Sequence, residues 1–289
     1  MRNVKSLRTK AHKRKVLKYN IFKIAALSAL GISLAALIAV IIFILKQGIP
    51  HINHHLLFGK FSTRNPSLRP AISGTIYLVV IAIALAAPLG IGSAIFLTEY
   101  TKSKSRLIRI IRVATETLAG IPSIVYGIFG YLIFVVTFGF GYSLIGGGIT
   151  LAIMILPVIV RSTEESLLAV PVSLREGSFA LGSSKVRTIF SVVLPCAGSG
   201  IVTSLILAIG RIISESAVLI LTIGMVNRVP TGVTSPGTSL ALSVFYFGSH
   251  GFPEQAAATG VVLLVLVVSI NILATILGKI FGKGELANG

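Results

Sequence analysis

Aspartate is absent from this chain of 289 residues: all eight acidic residues are Glu. That excludes paired-aspartate proteolysis, DxD-type metal sites and the magnesium-holding aspartate of a nucleotide hydrolase within this chain. There is one cysteine, Cys196, so no disulfide can close within the chain. No G-x-x-x-x-G-K-[ST] occurs, so the chain has no phosphate-cradling loop of that kind. Charge is scarce as well. Only 12% of residues are charged, against about 25% in soluble domains.

What is present is apolar: 54% of residues are hydrophobic and the mean hydropathy is +0.94. Runs long enough to cross a bilayer occur six times, at about 24–45, 71–97, 118–138, 143–160, 197–225 and 256–280. They are unbroken rather than alternating, which excludes an outer-membrane barrel. The pattern predicts an all-α polytopic membrane protein. Pro88, with Gly90 and Gly92, predicts a kink in the second span.

The net charge of +18 does not signal nucleic acid, because the cations sit in short loops beside apolar spans. Nine Lys/Arg precede the first span, five lie in 98–117, four in 161–196 and two near the C-terminus, twenty in all. The segments on the other side hold five. This bias predicts both termini in the cytoplasm. The basic segment 1–23 is too long for a signal-peptide n-region, and the run after it is too long for an h-region, so an uncleaved first helix is expected. The organisation expected is a basic cytoplasmic segment (1–23), a first helix with its outer loop (24–70), a five-helix core (71–280) containing a cytoplasmic loop at 163–195, and a tail (281–289).

Two segments are polar without being spans. In 104–118, Arg106, Arg109, Arg112 and Glu116 share one arc of a helix, and Leu107, Ile108, Ile110, Ile111 and Ala114 the other. The pattern suits a helix lying at the membrane surface near anionic lipid, or a charge cluster at a helix end. Segment 226–255, rich in Gly, Pro, Ser and Thr, faces outward and could meet an external partner.

The stretch LREGSFALGSSKVRTIFSVVLP interrupts the apolar plan on the cytoplasmic side. Pro171 suits a helix start and Gly182 a helix end, with a second helical stretch from Ser184 to Pro195. The expected result is a helical knob with Arg175, Glu176, Lys185 and Arg187 on its faces. Small residues Gly177, Ser178 and Ala180 would let another backbone approach, beside Leu181 and Gly182. Glu176, Gly182, Val192, Leu194 and Pro195 fit a pattern that resembles the EAA loop of ABC importer permeases, although the small triplet reads Glu176-Gly177-Ser178 here. RPAISGTIYLVVIAIALAAPLGIGSAIFLTEY, LAGIPSIVYGIFG and GRIISESAVL add a resemblance to phosphate importer permeases of the PstA type.

The resemblance implies a type I, MetI-like architecture in a bacterial or archaeal cell membrane, with the knob docking on an ATPase. It implies an ATPase homodimer that binds ATP and magnesium, a second homologous permease of the PstC type and an extracytoplasmic phosphate-binding protein. The chain itself would hold no cofactor and would not be an enzyme. Sulfate or molybdate is the alternative substrate.

Within the spans, Arg211 and Glu215 are four residues apart, and Ser204 lies seven before Arg211 on the same helical face. An Arg at mid-span costs at least about 2.5–3.5 kcal/mol on insertion scales. Two readings stand: a structural ion pair, or a guanidinium for an oxyanion in transit, with Glu215 moderating its grip. The resemblance favours the second. Arg161, followed by Glu164 and Glu165, is either an anchor at the cytoplasmic boundary or part of the pathway's exit. His51, His54 and His55 lack acidic neighbours and read as loop residues rather than a metal site. Gly146–Gly148 read as a turn and packing site, and Cys196 as a small packing residue. An integral-membrane enzyme or an ion-coupled transporter lacks support in metal-ligand clusters or inverted repeats.

Overall fold

The computed structural model describes residues 2–62, 65–101 and 106–287, and the side chains of these apart from 2–18, 107–108 and 279–287. Among the described residues all regular structure is helical. Helix α1 (Arg2–Gly48) leads through a 3₁₀ turn to α2 (His54–Phe58), and α3 (Arg69–Ile95) continues as a π turn to Tyr100. Next come α4 (Arg106–Ala119) and α5 (Ser123–Gly130), the latter prolonged by a π segment to Thr137. The chain then forms α6 (Leu144–Leu168), α7 (Val172–Ala180) and α8 (Lys185–Thr188). It ends with α9 (Leu194–Ser214), α10 (Ala217–Thr222), α11 (Leu240–Ser249) and α12 (Pro253–Ala287).

Five helical stretches are long and apolar enough to span a membrane: Tyr19–His51, Arg69–Tyr100, Leu144–Leu168, Lys185–Ser214 and Pro253–Gly278. A sixth is reached only by the pair Arg109–Ala119 and Ser123–Thr137 taken together, which is bent by 97° at its break. The six-span plan therefore stands, with two boundaries corrected. The expected third span crossed Gly120-Ile121-Pro122, where the helix in fact breaks. Pro122 has no N–H and takes an extended ψ of 138° as it caps α5. Thus α4 lies across the direction of α5 rather than prolonging it, as a surface-lying helix would. The expected fifth span, 197–225, starts earlier and stops earlier: it is continuous from Lys185 and ends at Ser214.

The helical stretch Lys185–Ser214 passes through Pro195 instead of beginning there. Pro195 cannot donate to a carbonyl one turn back, and the backbone before it widens into a π segment, Ile189–Val193. The second helix of the knob, α8, and the fifth span are thus one continuous helical stretch, Lys185–Ser214. Pro88 likewise lies inside a continuous α3.

Helix α6 is the hub. Its Leu151, Ile155 and Ile159 are fully buried in one cluster with Leu78, Ala82 and Ala86 of α3, Ala208 and Ile212 of α9, and Val218 and Leu219 of α10. Close approach of α3 to α6 rests on small residues at four-residue spacing, Ala82, Ala86 and Gly90. A Cβ at Gly90 would come within 2.6 Å of Ile159 Cγ2. The hairpin loop after α10 also ties down α6. Ser143, Leu144 and Ile145 N–H groups donate to the carbonyls of Thr222, Ser235 and Val233 at 2.8–3.2 Å, which satisfies donors a helix start leaves free. By contrast, Tyr19 to Ala39 of α1 is exposed throughout.

Candidate functional site

The knob forms as its sequence dictates. Pro171 starts α7, and Gly182 ends it at φ 80°, a left-handed value that side chains with a Cβ resist. Ser184 Oγ then caps α8 by accepting from Arg187 N–H at 3.4 Å. The Ser178 and Thr188 hydroxyls, 2.9 Å apart, clip α7 to α8. Glu176, Gly177, Ala180, Leu181 and Gly182 are exposed, and a Cβ at Gly177 would meet open space.

The tip is more apolar than its charge pattern suggested. Leu181 is 88% exposed, and Val172, Leu174, Phe179 and Val186 are exposed around it. An apolar cluster in water is a mark of an interface. Sequence reasoning weighed the small residues and passed over these. The signal available in the sequence was Val172, Leu174, Phe179 and Leu181 standing in a segment too polar to cross a membrane.

Arg175 departs from expectation. Its side chain turns inward within the chain. Its Nε and Nη2 donate to Glu99 Oε1 at 3.2 and 3.1 Å. Its Nη1 donates to the Val170 carbonyl at 2.7 Å and its Nη2 also to the Leu167 carbonyl at 2.8 Å. Both side chains are nearly buried, at 16% and 11% exposure. The guanidinium thus fastens the knob to the end of the second span and closes the free carbonyls at the end of α6.

The pairing imagined for the fifth span is not formed. Glu215 adopts an extended ψ of 129° just beyond α9, so the helical four-residue relation to Arg211 fails. Instead Glu215 Oε1 accepts from Ala217 and Val218 N–H at 3.0 and 3.4 Å, an anion at the start of α10. Arg211 is exposed at the end of α9. It makes no ion pair among the described residues. Ser204 does not share an open face with it: Ser204 is buried, and its hydroxyl donates to the Ile201 carbonyl at 2.8 Å.

Arg161 sits at a second polar cluster, where α4 meets the far end of α6. Its Nε donates to Glu165 at 3.1 Å, and Glu116 lies at 4.0 Å. Beside it, Arg112 Nε donates to Glu164 Oε1 at 3.0 Å, and Nη2 approaches the same oxygen. Glu164 is buried while Arg112 is half-exposed. Arg112, read on sequence as lying near anionic lipid or in a charge cluster at a helix end, pairs with Glu164 and clasps α4 to α6. The group borders a cavity of about 240 Å³ that Leu97 and Leu168 also line. In the first outer loop, His51 is engaged by the Gln47 carbonyl and by Glu254 at 3.1 Å.

Residues 86–284 match the family described as the binding-protein-dependent transport system inner membrane component. A probable ABC transporter permease protein, YqgI of Bacillus subtilis, is 32% identical over 88% of this chain and 92% of its own length. The phosphate transport system permease protein PstA of Yersinia pestis is 38% identical over 75% of this chain and 74% of its own. Among solved structures, a bacterial alginate ABC transporter superposes with a TM-score of 0.66 at 17% identity, covering 95% of this chain and 98% of that one. The inward-facing MetNI methionine ABC transporter superposes with a TM-score of 0.56 at 18% identity, covering 74% and 94%. With its MetI-type helical fold, this multi-pass inner-membrane chain belongs to the binding-protein-dependent transport system inner membrane components, the permease subunits of ABC importers.

Proposed function

We propose that this permease carries inorganic phosphate, by alternating access driven by ATP hydrolysis on a partner. Arg211 carries the reading: a guanidinium at the end of a spanning helix, with its expected counter-ion turned away to cap α10. A guanidinium presents paired N–H donors that suit a tetrahedral oxyanion. The PstA relatives, at up to 38% identity, support phosphate over sulfate or molybdate.

The partners follow from the same reading. An ATPase homodimer that binds ATP and magnesium would receive the apolar tip around Leu181. A second homologous permease of the PstC type would complete the pathway, and an extracytoplasmic phosphate-binding protein would deliver substrate. Both termini would lie in the cytoplasm, as the Lys/Arg bias requires. Nucleotide-driven closure would pull the knob, and the continuous helix Lys185–Ser214 would carry that motion to Arg211.

The test is ATP-dependent uptake of labelled phosphate by vesicles holding the full assembly, with sulfate as competitor. Uptake is expected, sulfate is expected to compete weakly, and Arg211→Ala is expected to lower uptake at least tenfold at unchanged assembly. Sulfate transported in place of phosphate would transfer the function to the other oxyanion.

A further inference from the structure

The molecule carries a third concentration of polar side chains, away from both Arg211 and the knob. A cleft of about 210 Å³ opens where the first outer loop, the start of α3 and the segment after α10 meet. Lys60, Arg69 and Arg228 line it, with Asn227 and the backbone around Gly59 and Phe61. No carboxylate lines it, and none of the three cations makes an ion pair among the described residues. On this side of the chain Glu254 is the one acidic residue. It faces His51, at a different cavity.

The walls are built rather than draped. Leu68 N–H donates to the Leu56 carbonyl, and Ser67 Oγ to the Gly59 carbonyl at 2.8 Å, which fixes the loop that carries Lys60. Leu240 N–H donates to Thr75 Oγ1 at 3.0 Å, and the Thr238 carbonyl packs on Gly74, which fixes the opposite wall to α3. Val226 N–H donates to the Gly237 carbonyl at 3.2 Å and holds the base of the segment with Asn227 and Arg228. Three like charges gathered in a fixed cleft repel one another unless an anion joins them. The start of α3, a helix of 27 residues whose Arg69 and Pro70 line the cleft, adds its positive dipole end. The cleft is also smaller than the roughly 300–1,000 Å³ of pockets for drug-sized ligands, so its occupant is small.

We propose that this cleft binds a phosphate group, as free inorganic phosphate arriving on the side opposite the knob or as the head-group phosphate of a lipid. As free phosphate it would be a capture site that precedes Arg211. That assignment of place rests on the proposed transport function, whereas oxyanion binding itself does not.

The test uses the full assembly without ATP or binding protein. In phosphate-free detergent, equilibrium binding of labelled inorganic phosphate is compared between the native protein and Arg69→Gln/Arg228→Gln. In a parallel arm, native mass spectrometry reads retained phosphatidylglycerol against an uncharged glycolipid. The expected result is at least a tenfold weaker affinity for one of the two phosphate sources in the double variant. Arg69→Lys/Arg228→Lys should keep most of that binding. Because the altered side chains are exposed, assembly measured by size exclusion should be unchanged. Equal retention of both phosphate sources by native protein and double variant would overturn the proposal. Failure of phosphate uptake with the cleft's binding intact would reject the transport reading alone.

Discussion

Arg175 and Glu99 illustrate how one residue can serve a function from inside the chain. Their pair is nearly dry, and four hydrogen bonds hold the guanidinium. A buried charge whose partner is removed costs about 3–5 kcal/mol, while replacing both by apolar residues of similar volume is often neutral. Arg175→Met is therefore expected to lower the thermal stability of the purified assembly and to cut uptake severalfold. Arg175→Met/Glu99→Met should regain most of the stability, because no lone carboxylate is left, but not the uptake, because the knob has lost its tie to the second span. Melting curves of the two variants, read beside uptake, check this. A double variant no more stable than the single one would mean that the lone Glu99 carboxylate is not what destabilises the single variant, and a single variant as stable as the native protein would mean the pair does not bear on the fold.

At the scale of the element, the knob works as a rigid tip on a long helix. Its turn depends on Gly182 at φ 80°. A left-handed residue with a Cβ costs about 1–2 kcal/mol, and Asn is the residue that tolerates it best. Gly182→Val is thus expected to uncouple ATP hydrolysis from uptake, while Gly182→Asn keeps most of the coupling. The Cβ has open space around it, so the difference reads conformation rather than collision. Leu181, the most exposed apolar residue of the tip, belongs to the same prediction. Leu181→Asp should weaken co-purification of the ATPase subunit about tenfold or more, since a charge would have to be desolvated in an apolar contact. Unchanged co-purification would remove the tip from the docking surface.

For the whole molecule, the arrangement of charge and spans makes a topological statement. In a Cys196→Ala background, Leu181→Cys should react with a membrane-impermeant maleimide only in inverted vesicles, and Asn227→Cys only in intact cells. Both positions are described at the surface of the chain, the first exposed and the second lining the cleft. Labelling of both from one side would overturn the placement of the knob and of the basic cleft together.

Composition and periodicity alone determined the helical membrane class, the six spans and the knob with its ends at Pro171 and Gly182. These features are local: hydropathy over about 20 residues decides partition into lipid, and proline and glycine fix backbone angles wherever they stand. Tertiary structure decided the rest. Counting four residues from Arg211 to Glu215 presumed a helix that in fact stops at Ser214, and only the packing of α10 on α5 and α6 shows why the chain turns there. Arg175 found Glu99 across 76 residues, Arg112 found Glu164 across 52, and Lys60, Arg69 and Arg228 came to one cleft from three segments. Charge pairing acts through space, over a few ångströms, and no spacing along the chain encodes that distance.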